Sequence, residues 1–160
     1  MSAPDDRSSP AVRRGTAADA AAIGRLLHDF NIEYDDPTPG ADKLAARIEQ
    51  LIAGGDTAVL LAGDGPDGLA VLRFRPAIWS EALECYLAEL YVAPSARGRG
   101  LGRALMNAAI ELARVHGADY MDLGTAETDV AARSLYESLG FSNREGKPDG
   151  PVNYFYARDL

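Results

Sequence analysis

Two stretches and two single residues of this chain could do chemistry. The first stretch is Arg97-Gly98-Arg99-Gly100-Leu101-Gly102-Arg103, which follows an apolar run ending at Val92 and opens a long amphipathic one. A helix N-terminus leaves backbone N–H groups unpaired and carries a partial positive charge. Glycines let a bulky anion approach those groups without meeting a Cβ. Arginines raise the local potential further. The turn therefore suits a phosphate or pyrophosphate. The alternative is a plain strand-to-helix turn with solvated arginines. A dinucleotide fingerprint does not fit, because the sixth positions counted from Gly98 and Gly100 are Arg103 and Leu105 rather than glycine. A P-loop needs Gly-Lys-Ser/Thr, and Lys147 is followed by Pro148.

Glu89 is a carboxylate inside the apolar segment Cys85-Tyr-Leu-Ala-Glu-Leu-Tyr-Val92. Strict alternation would put it on one face with Cys85, Leu87 and Tyr91. Both faces read as buried, so its pKa should be raised and its carboxylate becomes a candidate base. Pairing with an arginine, or a solvated cleft without chemistry, is the competing account. Tyr136 lies one residue after Leu135 and three before Leu139, a core-facing position at which packing is the default. Asp29, Glu33, Asp35 and Asp36 gather where a helix ends, which opposes the helix dipole unless a cation offsets it. A cationic ligand at Glu33, Tyr34, Asp35 and Asp36 is one solution; a solvated acidic loop is the other. His28 and His116 stand far apart, and no His/Asp/Glu grouping has metal-ligand spacing, so no metal is expected.

These residues need elements to hold them. The 160 residues are 47% hydrophobic, enough for one globular domain with a core. Residues 1 to 10 read as a polar, disordered tail and residues 11 to 160 as the domain. Ala11 to Arg14 suggests a short strand. Thr16 with Asp19 suggests a capped helix running from Ala17 to Phe30. A second helix starts at Ala41. Thr57 to Ala62 and Leu69 to Arg75 read as a hairpin, and Leu83 to Val92 as a long strand. A helix from near Gly100 carries Leu101, Leu105, Ala108, Leu112 and Val115 on one face. Tyr120 to Leu123 reads as a strand and Val130 to Leu139 as a helix. Phe141 to Asn143 and Val152 to Ala157 read as two last strands. The expected fold is α/β, three layers, with one mixed, mostly antiparallel twisted sheet and helices on both faces.

Charge and composition exclude several functions. Sixteen basic against twenty-four acidic residues leave a net charge of −8, which disfavours nucleic acid and anionic membrane as partners. No apolar run exceeds Ala58 to Ala62, so no segment reads as a membrane span. The first ten residues lack an apolar signal region, so a cytoplasmic location is expected. Cys85 is the single cysteine, which leaves no disulfide framework.

The order Arg97-x-x-Gly100-x-Gly102, set between a strand and a long helix and followed by ARSLYESLGF, resembles the GNAT superfamily of acyl-CoA-dependent N-acetyltransferases. The likeness runs from about Leu87 to Phe141. It implies acetyl-CoA as acyl donor, a primary amine as acceptor and a frequent homodimer. By the same resemblance Gly98 to Arg103 hold the coenzyme A pyrophosphate, and Leu90, Tyr91 and Val92 pair with its pantetheine arm. A carboxylate placed like Glu89 is often the base, and a tyrosine placed like Tyr136 often protonates the departing thiolate. The resemblance also places Asp129 at a donor-binding position where the family's pattern has Asn; an Asp there offers no amide N–H to the donor, and it suits a helix N-cap. The resemblance implies direct attack of the amine in a ternary complex. Its rivals are a catalytically inactive acyl-CoA sensor or interaction module, and an enzyme acting on protein N-termini or lysines.

Overall fold

The computed structural model describes residues 10–160, so nearly all of the expected tail lies outside the described residues. Two compact units are present, one ending at Asp122 and one comprising Leu123–Leu160. The first holds β1 (Val12–Arg14), α1 (Ala20–Glu33), α2 (Ala41–Ala53), β2 (Thr57–Ala62), β3 (Gly68–Pro76), β4 (Leu83–Val92), α3 (Leu101–Val115) and β5 (Ala118–Asp122). The second holds α4 (Val130–Ser138).

The sheet order is β1-β2-β3-β4-β5. The first four strands pair antiparallel, and β5 runs parallel to β4. That change of direction follows from α3, because two parallel neighbours need a crossover long enough for a helix. The sheet is mixed and mostly antiparallel, as expected from the sequence.

Alternation along the strands sorts two apolar faces. Val59 and Leu61 of β2, Leu69 and Val71 of β3 and Tyr91 of β4 form one core with Ile23 and Leu26 of α1 and Ile48 of α2. Ala58, Leu60, Ala70 and Leu72 point the other way and are buried too. There α3 packs on β2, β3, β4 and β5, with Leu105, Met106 and Ala109 buried. The sheet is thus the middle of three layers, and the fold is α/β with helices on both faces. α1 and α2 meet closely because Gly24 has no side chain: a Cβ there would lie 2.5 Å from the Ala41 carbonyl oxygen.

Four expectations need correction. The first helix opens with a separate 3-10 turn, Ala17–Asp19, and continues to Glu33. Thr16 N–H donates to Asp19 Oδ2 at 2.9 Å, and Arg13 also grips that carboxylate, which fixes the break. β5 begins two residues early, at Ala118. Val115 is 73% exposed, since Ala109 and Ala113 complete the buried stripe of α3 instead. The last two expected strands do not form. Only Arg144 and Val152 bridge, while Glu145, Lys147 and Gly150 spend their N–H groups on carbonyls within the turn. The consecutive aromatics Tyr154, Phe155 and Tyr156 then join no strand among the described residues, and Tyr156 is 86% exposed.

Candidate active site

The site's scaffold is the far half of β4. Its pairing with β3 runs regularly from Pro76↔Leu83 to Leu72↔Leu87, then resumes at Val71↔Glu89. Ala88 is therefore an extra residue, a β-bulge. The bulge overturns strict alternation through this strand. Glu89 and Tyr91 share the α1/α2 face with Val71 and Leu69, whereas Leu87 and Cys85, opposite Leu72 and Phe74, lie on the α3 face. Without the bulge Glu89 would follow Leu87 and Cys85 into the α3 core.

Glu89 is half-buried, and no hydrogen bond or ion pair engages its carboxylate among the described residues. Burial raises its pKa above the ordinary carboxylate value. No arginine pairs with it among the described residues. Cys85 is fully buried, and loss of solvation with the nearby Asp122 charge pushes its thiol up to about 11. That keeps it a poor nucleophile.

β4 also has an open edge. Its ladder with β5 ends at Tyr86↔Asp122, so Leu87 to Val92 pair with β3 alone. Ala93 N–H donates to the Asp67 carbonyl at 2.7 Å, toward β3. Backbone groups of successive residues point to alternate sides of a strand, so Leu90 and Val92 present theirs to the open edge. The Val92 carbonyl accepts from Arg97 Nε at 3.0 Å. What is left on this edge is a short row of main-chain donors and acceptors able to take an extended, amide-bearing ligand as an added strand.

The glycine turn continues directly from that edge. Gly98 and Gly100 take φ of +77° and +81°, the left-handed region that glycine enters freely. A Cβ at either would meet nothing within 4 Å, so conformation, not space, calls for glycine. The first bond into α3 is from Ala104 N–H to the Gly100 carbonyl at 3.0 Å, and no side chain caps the helix. The N–H groups of Gly98, Arg99, Gly100, Leu101 and Gly102 have no acceptor among the described residues. Arg99 makes no side-chain ion pair among them either. Free amides, a helix N-terminus and a cation make a cradle that fits a pyrophosphate.

Arg97 behaves differently from its neighbours. Its Nη2 donates to Glu33 Oε1 at 2.7 Å and also to Oε2. Its guanidinium carbon stands 5.8 Å over the Tyr91 ring, Tyr91 stacks on Phe30 at 5.0 Å, and Tyr34 meets Phe30 edge-on at 5.2 Å. The structure thus joins two residues that sequence reasoning had assigned to different ligands, Arg97 to the donor and Glu33 to the acceptor. No local pattern links positions 33 and 97, so only the fold could reveal the pair. Tyr34, Asp35 and Asp36 are exposed beyond the end of α1, where Asp35 takes a φ of +58°.

In the second unit, Tyr136 is the buried residue of α4. Burial, with the Asp129 charge second, pushes its phenol up to about 12. Its ring meets Phe141 edge-on, with centroids 6.2 Å apart. Asp129 Oδ1 accepts from Ala132 N–H at 3.1 Å, the N-cap role expected of it. Trp79 is 94% exposed between β3 and β4. Among the described residues, no three His, Cys, Asp or Glu side chains are placed to hold a metal ion, and no helix is long and apolar enough to cross a membrane.

Comparison with known proteins agrees with this geometry. Residues 24–141 match the model of the acetyltransferase (GNAT) family. The uncharacterized N-acetyltransferase YhfO of Bacillus subtilis strain 168 is 30% identical over 140 residues, covering 84% of this chain and 91% of YhfO. The aminoglycoside N(6')-acetyltransferase type 1 of Stenotrophomonas maltophilia is 31% identical over 144 residues, 86% of this chain and 90% of that one. A crystal structure from Arthrobacter sp. FB24, of a candidate acetyltransferase, superposes with a TM-score of 0.84 at 45% identity, covering 100% of this chain and 99% of that one. The open edge of β4, the amide turn that follows it and these likenesses together make the chain an acyltransferase that belongs to the GNAT family.

Proposed function

We propose that the chain moves an acetyl group from acetyl-CoA to the primary amine of a small cationic acceptor, by direct attack in a ternary complex. The observation that carries this reading is the continuity of the open β4 edge with the unpaired amides of Gly98 to Gly102. An extended acyl-pantetheine arm would lie along Leu90, Tyr91 and Val92, with its pyrophosphate on the turn beside Arg99 and Arg103. Acetyl-CoA supplies the activated acetyl group, and the protein supplies proton transfer and aim.

Glu89 is the base. Amines of this kind are largely protonated at neutral pH, and a carboxylate with a raised pKa takes their proton directly or through one water. The freed nitrogen forms the C–N bond and the C–S bond breaks. Val92 N–H faces the open edge, where it can hold the oxygen that gains negative charge. Tyr136, kept protonated by burial, gives its proton to the leaving sulfur and regains one from the product nitrogen through solvent. Both assignments follow the family resemblance as well as the environment of each group.

Exposed Tyr34, Asp35 and Asp36 favour a cationic acceptor, and the relative from Stenotrophomonas maltophilia is named for an aminoglycoside. Purified protein is mixed with acetyl-CoA and a panel of diamines, polyamines, aminoglycosides and short peptides, and thiol release is followed. Turnover with a small polycation and not with peptides supports the proposal. Peptide turnover alone moves the acceptor class to proteins, and uptake of acetyl-CoA without turnover on any amine makes the chain an acyl-CoA sensor.

A further inference from the structure

Arg97 occupies the first position of the donor motif, yet its side chain is engaged by α1 and β4. A guanidinium is a planar fork that can serve two acceptors at fixed angles. Here Nη2 holds the Glu33 carboxylate while Nε holds the Val92 carbonyl at 3.0 Å. The Tyr91 ring supports the guanidinium from below at 5.8 Å. Burial and the Glu33 charge raise the Tyr91 phenol as well, so the ring stays neutral beneath the cation.

This bracket has a consequence for the Val92 peptide edge. The N–H and C=O of one residue in a strand point to the same side. At Val92 that side is the open edge on which the acyl donor is read to lie. An uncovered carbonyl there would repel a second oxygen arriving at the neighbouring N–H. A guanidinium seated on the carbonyl removes that repulsion and adds positive potential next to the N–H. A donor in such a field stabilises an oxygen most when the oxygen gains charge, which happens in the transition state and not in the ground state. An unheld arginine side chain would sample many rotamers, and Glu33 limits it to this one.

We propose that Glu33 is a positioning residue for acyl transfer: by holding Arg97 on the Val92 carbonyl, it sets the field at the N–H that receives the acyl oxygen. This role rests on the reading of the β4 edge as the acyl-donor site. It removes Glu33 from the acceptor-binding set and gives Arg97 a task apart from the pyrophosphate.

The test compares Glu33→Gln and Arg97→Lys with wild type. Lysine keeps the charge but lacks the fork, so it cannot serve both acceptors. Three quantities are read: kcat, the calorimetric affinity for free coenzyme A, which has no acyl carbonyl, and Tm. The expected result is a fall in kcat of about tenfold in each variant, with coenzyme A affinity held within about twofold and Tm little changed. The double variant is expected to be no slower than either single one, because both remove the same bracket. Wild-type kcat in Glu33→Gln overturns the role. So does a parallel loss of coenzyme A affinity and Tm, which would mark a purely structural clasp. Absence of coenzyme A binding and of turnover in the wild type would overturn the proposed function, and this role with it.

Discussion

Glu89 lies directly across the β3–β4 ladder from Val71, on the sheet face that α1 and α2 cover. One step further the ladder skips Ala88, and Leu87 meets Leu72 on the opposite face. A single inserted residue thus separates the Glu89 carboxylate from the apolar run that precedes it. It leaves that carboxylate half-buried and unpaired, which is costly for stability and useful to a base.

The first prediction concerns that cost. A carboxyl whose folded pKa is raised binds protons more readily folded than unfolded. Stability therefore falls as pH rises from its unfolded pKa through its folded one, and the penalty is complete above the folded value. Glu89→Gln should melt higher than wild type at pH 7 and lose that advantage by pH 4. Turnover should fall on the order of a hundredfold, since a positioned base contributes about that much and bound-substrate orientation remains. The acid limb of the wild-type kcat/KM profile should lie above the ordinary carboxylate range and vanish in the variant. Paired thermal melts and pH–rate profiles check both halves.

A second prediction follows from Tyr136. With its phenol pushed up to about 12, it stays protonated at any pH where the protein is assayed. Wild-type activity should show no alkaline limb from this group below pH about 10. Tyr136→Phe keeps the ring and its contact with Phe141, so Tm should move little. Its kcat should drop on the order of a hundredfold, and most with acyl donors whose leaving thiol is least acidic. A series of acyl thioesters of graded thiol pKa reads this out. A flat ratio of wild type to variant across the series would remove Tyr136 from proton transfer.

The donor turn yields a third. Gly100→Ala places a Cβ in open space but forces alanine into the left-handed region, which costs about 1–2 kcal/mol. For a chain of this size that lowers Tm by about 2–8 °C. Acetyl-CoA should bind more weakly because the amides lose their alignment. Arg99→Ala leaves the backbone intact, so its loss of affinity should be electrostatic: large at low ionic strength and small above about 0.5 M salt. Calorimetry at two salt concentrations separates the two variants.

Much of the fold was legible because its signals are local. The stretches Thr57–Ala62 and Leu83–Val92 are bounded by glycine or proline turns, and their bounds were read from the sequence to the residue. The glycine turn into α3 was legible for the same reason, since Gly98 and Gly100 stand where φ is positive. What stayed hidden depends on partners distant in sequence. Ala88 carries no mark of a bulge; only the register against β3 creates it. Glu33 and Arg97 meet across 64 positions of chain. The segment from Val152 to Ala157 is rich in the aromatic residues that strands favour, but composition does not supply the neighbouring edge that a strand needs.

The last prediction tests how α1 is seated. Gly24 meets α2 so closely that a Cβ would come within 2.5 Å of the Ala41 carbonyl oxygen and 2.7 Å of the Ala45 nitrogen. Both are backbone atoms of one helix and cannot yield as a side chain would, so Gly24→Ala must part the two helices. Overpacking of this kind costs about 1–3 kcal/mol. Gly54 is the control: it has a φ of −68°, and a Cβ there would make only ordinary contacts at 3.4 and 3.6 Å. Gly54→Ala should be neutral or slightly stabilising, by up to about 1 kcal/mol, because it restricts the unfolded chain. Glu33 ends the helix that Gly24 seats, so Gly24→Ala should also loosen the grip on Arg97 and lower kcat, while Gly54→Ala leaves kcat alone. Denaturant melts together with steady-state kinetics on the two alanine variants decide it. Equal stability of the two would mean that α1 and α2 are not in the close contact described.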